Sequence, residues 1–272
     1  MPELPEVETM VSALDPEVRG RTITRTRLVH EDVLKNRSRY RFLRDLRRQR
    51  IRGVSRRAKN AVFDLGSHRL VIQPGMTGSF HTTSAADTDL DYVVLSITLD
   101  DHRRLVYRDV RRLGRVYLFG PEEWERFSAR IGPEPLSPDL TAEAFGATLR
   151  RSRQAIKKVI MDQRRLAGVG NIYANEVLFA AGIRPSKPAN RLRRRDHERL
   201  VDEIRRILQL AIDSEGTTFR DYRTVRGRPG NFQLQLKVYG RAGEPCRVCG
   251  TELTGTHAID ARSTVYCRRC QR

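Results

Sequence analysis

The sequence predicts an α+β protein: a leading helix, an N-terminal β-sandwich, a helical region and a C-terminal β-hairpin carrying cysteines. Three observations predict this. From about residue 20 to 120, short apolar or alternating runs are separated by Gly, Asp and Ser. "IGPEPLSPDL" at 131–140 interrupts that pattern, and beyond it apolar residues recur at helical spacing. All four cysteines fall within the last 27 residues.

The leading helix is read from Leu4, Val7, Val11 and Leu14, which recur at steps of three and four. Pro5 suits its first turn, and Glu6 and Glu8 suit its positive end. Pro2 and Glu3 then lie just outside a helix start. "TITRTRLV", "NAVFDLG", "RLVIQPGM", "YVVLSITLD", "RRLVYRD" and "GRVYLF" read as antiparallel strands closing a sandwich or a flattened barrel. In "VVLSITL", Val93, Leu95, Ile97 and Leu99 share one face. The prolines of 131–140 mark a linker. "TAEAFGATLRRSRQAIKKVIMDQ" holds two helical segments, and "NIYANEVLFAAG" has Asn171 as its expected N-cap and stops at Gly182. Leu200, Ile204, Ile207, Leu208 and Ile212 mark the strongest helix. The Gly-, Thr- and Arg-rich stretch after it reads as a partly mobile loop.

Charge narrows the class of partner. The 272 residues contain 52 Lys and Arg against 33 Asp and Glu, a net charge of +19 and a pI near 10.7. That balance points to a polyanion, most simply nucleic acid; an arginine-rich proteome is the plainer explanation. No apolar run approaches the roughly 20 residues of a membrane span, and no basic-then-apolar leader opens the chain. No membrane partner is expected.

Cys246-Arg-Val-Cys249 is followed by 17 residues and then Cys267-Arg-Arg-Cys270. Two CxxC knuckles at this spacing match a zinc ribbon, in which four thiolates close the coordination of one structural zinc ion. Two disulfides are the alternative, disfavoured without a secretion leader. Arg262, between Ile259 and Tyr266, is either a solvated charge or, with Arg247, Arg268, Arg269 and Arg272 nearby, a phosphate contact.

"PELPEVET", "RRAKN", "GMTGS", "DVRRLG", "GPEPLS", "GVGNIYANEVLF", "VYGRAGEPC" and the CxxC pairs occur in the order seen in formamidopyrimidine-DNA glycosylases, which the chain resembles along essentially its whole length. The endonuclease VIII branch usually has Gly where Leu4 stands, which favours the formamidopyrimidine branch. The resemblance implies a catalytic β-sandwich domain over 1–130, a hinge at 131–140, a helix–two-turn–helix DNA-binding domain over 141–235 and a zinc finger over 236–272. A segment at 216–232 is expected to fold over the flipped base. It further implies a monomer in the bacterial cytoplasm, on the nucleoid when bound to DNA. Its partner would be double-stranded DNA holding oxidised purines or abasic sites, which it would excise and then cut.

The resemblance assigns catalytic roles to Pro2, Glu3, Lys59 and Arg262. Once Met1 is removed, Pro2 carries a secondary amine, neutral in part near its ordinary pKa of about 7.7–8.0. Such an amine can attack the sugar C1′ and, after ring opening, form an iminium that drives elimination. Glu3 is the proton carrier beside it. Lys59 is placed at the lesion and its phosphate, though on residue type alone an exposed lysine is the simpler reading. Tyr92, Arg111, Lys157 and Asn171 are expected at the DNA. Met76, Arg111 and Leu113 are expected to fill the space left by the flipped base. The chain departs from the family at Gln73 and Pro74, where His-Leu is common and where proline is expected to interrupt a pairing strand. It departs also at Leu113, where Phe is usual, and at Tyr92, near an expected His. These bear on lesion and opposite-base preference and leave the amine chemistry intact. The alternatives are an endonuclease VIII-like preference for oxidised pyrimidines and a non-catalytic damaged-DNA-binding zinc protein.

Overall fold

Leu4, Val7, Val11 and Leu14 are all buried along α1 (Leu4–Val18), together with Met10 and Val18. In this computed structural model, which describes residues 1–84, 90–217 and 230–272, that stripe enters the core of the first of two compact units. The first unit comprises Met1–Arg130 with Ser214–Asn231, the second Ile131–Asp213 with Phe232–Arg272.

The first unit holds two antiparallel four-stranded sheets. One is ordered β1 (Ile23–Leu28), β6 (Val93–Leu99), β7 (Arg103–Asp109), β5 (Gly78–Ser84). The other is ordered β2 (Gly53–Arg57), β3 (Asn60–Asp64), β4 (Arg69–Gln73), β8 (Arg115–Phe119). Phe80, Leu95, Ile97 and Tyr107 of the first sheet share one core with Ala61, Phe63, Leu70, Ile72 and Val116 of the second, so the architecture is a sandwich. The second sheet is covered on its outer face as well. Val62, Val71 and Phe119 pack there against Trp124 and Phe127 of α3 (Pro121–Ser128). Burial on both faces explains why "AVF" and "LVI" read as continuous apolar runs. A second short helix, α2 (Arg39–Leu46), is capped by the Ser38 hydroxyl and buries Phe42 and Leu46 one turn apart.

Two expectations are corrected here. The alternation assigned to β6 is reset by a register shift between Val93 and Leu95, so Val94 joins Leu95, Ile97 and Leu99 in the core while Val93 stays half-buried. Pro74 interrupts no ladder, because β4 ends at Gln73, which still pairs with Arg115.

In the second unit, α4 (Ala142–Arg150) is capped by the Thr141 hydroxyl, and α5 (Ile156–Met161) and α6 (Asn171–Ala180) follow. α7 (Arg194–Asp213) buries Leu200, Val201, Ile204, Ile207, Leu208 and Ala211 along one face. The hairpin of β9 (Thr254–Thr256) and β10 (Thr264–Tyr266) closes the unit. Phe179, Val238, Leu253 and Val265 make a small core beside Cys246 and Cys267. Among the described residues, no helix is long and apolar enough to cross a membrane.

Truncating the α1 stripe opens a cavity in the shared core. Leu14→Ala is expected to lower unfolding free energy by about 2–5 kcal/mol, read as a reduced urea midpoint by circular dichroism.

Candidate active site and metal centre

Pro2 and Glu3 are both buried, immediately before α1. Glu3 is the N-cap residue, and its N–H donates to Glu6 Oε2 at 2.8 Å. The other oxygen of Glu6 accepts from the Thr217 N–H at 2.8 Å. Glu6 is 2% exposed, so one enclosed carboxylate ties the helix start to the stem of the 216–232 segment. Residues 218–229 of that segment, expected to form a partly mobile loop, lie outside the described residues.

Lys59 sits in the two-residue turn between β2 and β3, after Ala58 at φ +54°. It is only 6% exposed, which removes the simpler reading of an ordinary surface lysine. Arg56, on the same strand end, pairs with Glu8 of α1 at 2.7 Å, and the Asn60 amide closes the turn onto the Arg57 carbonyl at 2.9 Å. The turn is thereby fastened to the helix that Pro2 immediately precedes. Met76 and Leu113 are exposed by 43% and 53%, on tight turns and outside the core, and Arg111 Nη1 lies 3.8 Å from Met76 Sδ. Tyr92 is also exposed, at φ +59°.

In the second unit, Asn171 is the first residue of α6 and Gly170 takes the cap position, which corrects the assignment of Asn171 as N-cap. Asn171 Oδ1 is enclosed without a hydrogen-bond partner among the described residues. The loop before it is shaped by Gln163, a residue the sequence reading did not single out. Its amide donates to the Met161 and Val169 carbonyls and accepts from the Gly168 N–H, at 2.8–2.9 Å.

Lys157, expected at the DNA, is fully buried, and its ammonium donates to the Ser263 carbonyl at 2.8 Å and the Thr264 hydroxyl at 2.7 Å, pinning the finger strand. Arg262, just before that strand, is exposed and lines a cleft of about 280 Å³ with Gln154, Lys158, Arg164 and Arg165. Asp260 and Ala261, at φ +57° and +51°, turn the chain sharply ahead of it.

The family model for the formamidopyrimidine-DNA glycosylase N-terminal domain matches residues 1–116, and that for the H2TH domain of the same glycosylase matches 131–223. A Thermomicrobium roseum formamidopyrimidine-DNA glycosylase is 43% identical, with 100% of this chain and 99% of the relative covered. The chain belongs to the formamidopyrimidine-DNA glycosylase family. A second relative, from Stutzerimonas stutzeri, is 40% identical over the whole of both chains. Lactococcus lactis Fpg in complex with DNA containing an abasic site superimposes with a TM-score of 0.91, at 32% identity over 99% of each chain. The same protein with Fapy-dG-containing DNA gives 0.90 at 32% identity, covering 99% of this chain and 100% of that one. Thermus thermophilus MutM gives 0.87 at 36% identity, covering 99% and 98%.

The cysteine tetrad fits the zinc finger expected of this glycosylase family. The four sulfurs lie within 4.8 Å of one another, with Cys246–Cys270 at 4.0 Å and Cys249–Cys267 at 3.4 Å. A tetrahedral ion with Zn–S bonds of about 2.3 Å needs sulfurs about 3.8 Å apart. The electrostatics agree. Hydrogen bonds from Thr251 hold the Cys249 thiol down to about 6, whereas burial pushes Cys267 up, and burial with the neighbouring sulfurs pushes Cys270 up. Burial and crowding oppose ionisation of Cys267 and Cys270, and a divalent cation removes that opposition. The site is a structural zinc centre of four cysteines, with no position left open for catalysis.

Metal analysis is expected to return one zinc per chain. Cys249→Ala should release it and weaken duplex binding by about tenfold or more, as measured by fluorescence anisotropy.

Proposed function

We propose that this chain excises oxidised purines, chiefly 8-oxoguanine and formamidopyrimidines, from double-stranded DNA and then cleaves the strand at the resulting abasic site. The observation that carries the reading is a buried Pro2–Glu3 pair held at the start of a helix whose apolar face is buried. The positive end of α1 favours the neutral form of an amine placed there. With Met1 removed, the Pro2 nitrogen attacks C1′ of the damaged nucleotide, and the C1′–base bond breaks. Glu3 supplies a proton to the sugar ring oxygen or the departing base. Opening of the sugar leaves a C1′ iminium, which acidifies C2′–H. Its loss expels the 3′ phosphate, and a second elimination expels the 5′ phosphate.

Lys59 and Arg262 act on the phosphates of the lesion strand in this reading, Arg262 in the later elimination. Asn171, at the start of α6, holds a further phosphate. Met76, Arg111 and Leu113 fill the vacated stack, and Tyr92 contacts the duplex. Residues 1–130 form the catalytic domain, 131–140 the hinge, 141–235 the DNA-binding helical domain with its capping segment at 216–232, and 236–272 the finger. The protein works as a monomer in the bacterial cytoplasm, on the nucleoid.

Borohydride should trap the mature protein covalently on duplexes carrying 8-oxoguanine or an abasic site, and Pro2→Gly should lower that yield by about tenfold or more. Active protein that retains Met1 by mass spectrometry would overturn the mechanism. Faster removal of thymine glycol than of 8-oxoguanine would instead assign the endonuclease VIII-like preference. Duplex affinity is expected to fall steeply and log-linearly with salt, since many phosphates are neutralised; an anisotropy titration at several salt concentrations measures the slope.

A further inference from the structure

The two turns that carry Met76, Arg111 and Leu113 are joined by one carboxylate with no part in the amine chemistry. Asp109 is the last residue of β7 and pairs with Gly78, the first residue of β5, so it stands where both turns begin. It is 1% exposed. One oxygen accepts from the Thr77 hydroxyl at 2.5 Å. The other accepts from the Gly114 N–H at 2.7 Å and from the Tyr107 hydroxyl at 3.1 Å. Thr77 passes the link on, since its hydroxyl oxygen accepts from the Arg111 N–H at 3.0 Å. Tyr107 does the same for the first turn, where its hydroxyl oxygen accepts from the Gly75 N–H at 3.4 Å. Burial first, then the charge of Asp109, pushes the Tyr107 phenol far above its ordinary pKa, so it stays a donor.

The packing around this carboxylate leaves no slack. A Cβ on Gly75 would lie 2.5 Å from Asp109 Oδ2, and one on Gly114 would collide with the Tyr107 hydroxyl. Turn 75–78 is otherwise closed by one backbone bond, Gly78 N–H to the Gly75 carbonyl, and turn 109–112 by Arg112 N–H to the Asp109 carbonyl. Those bonds shape each turn separately. Asp109 and its relays through Thr77 and Tyr107 tie the two turns together at their base, and the exposed Arg111 Nη1–Met76 Sδ contact joins them at their tips.

We propose that Asp109 is a positioning residue for base eversion: its carboxylate sets the register between the two turns, so that Met76, Arg111 and Leu113 enter the DNA stack as one rigid wedge. This rests on the glycosylase reading above. A wedge whose parts move independently cannot hold open a stack whose disruption costs a few kcal/mol. An asparagine at 109 keeps the shape but offers an N–H₂ group on one side. With its nitrogen toward Gly114 a donor faces the Gly114 N–H, and with its nitrogen toward Thr77 the hydroxyl must turn round to accept, so one of the carboxylate's bonds is broken or reversed either way.

The test compares single-turnover excision from an 8-oxoguanine duplex with borohydride trapping on a duplex holding a preformed abasic site, where no base remains to unstack. Asp109→Asn should slow excision by about tenfold more than it slows trapping, and should slow the change in 2-aminopurine fluorescence beside the lesion by a similar factor. Thr77→Val, which cuts one relay and leaves the carboxylate, should show the same split at smaller size. It carries the test if the Asp109 variant does not fold. Equal losses on both substrates, or no loss on either, from a variant with wild-type thermal unfolding would overturn the proposal. Failure of the wild-type protein to trap on either substrate would instead remove the glycosylase reading.

Discussion

Burial of one face of α1 is the constraint on which the proposed chemistry depends. A residue near a chain end ordinarily frays, and a nucleophile that frays reacts slowly because its approach geometry is averaged away. Here Val7, Met10, Val11, Leu14 and Val18 are embedded in a core that draws on both sheets, so the helix start has no freedom of its own. Glu6 extends that order outward, holding the Glu3 backbone with one oxygen and Thr217 with the other. Arg56 and Glu8 bring the Lys59 turn under the same control. The sandwich acts as a rigid mount for the residues at the start of its first helix.

The second unit solves a related problem with polar groups. A two-stranded hairpin has too little apolar surface to orient itself, and zinc closes the finger without aiming it. Lys157 reaches the Ser263 carbonyl and the Thr264 hydroxyl, and the Asn175 amide oxygen accepts from the Val265 N–H at 2.8 Å. Glu176 accepts from the successive N–H groups of Lys237, Val238 and Tyr239 at 2.8–3.0 Å. Burial raises the pKa of Glu176, and those three donors work against that rise. Helices α5 and α6 therefore aim the finger, and with it Arg262, through buried hydrogen bonds whose loss leaves polar groups stranded.

Sequence periodicity revealed the elements that bury one clean face. The α1 and α7 stripes are of this kind, and the cysteine spacing was equally direct because metal geometry allows few arrangements. Helices α2 and α3 were missed for opposite reasons. α2 hides Phe42 and Leu46 among arginines, and the aromatic residues of α3 match no helical stripe of aliphatics. The bulge at 93–95 was invisible because alternation gives no sign of an inserted residue. Lys157 and Lys59 show the deeper limit. Residue type predicts exposure for lysine, and only tertiary contacts reveal that each is enclosed. Asp109 carries no periodic signal, since its role arises where two strands distant in sequence end side by side.

The aromatic cover on the outer face of the second sheet also makes a built-in optical label. Trp124 is the chain's single tryptophan, and its ring lies 5.9 Å from Phe127 and 6.5 Å from Phe119, centroid to centroid. Indole emission therefore reports on the first unit, while melting of the second unit's helices and finger proceeds in the dark.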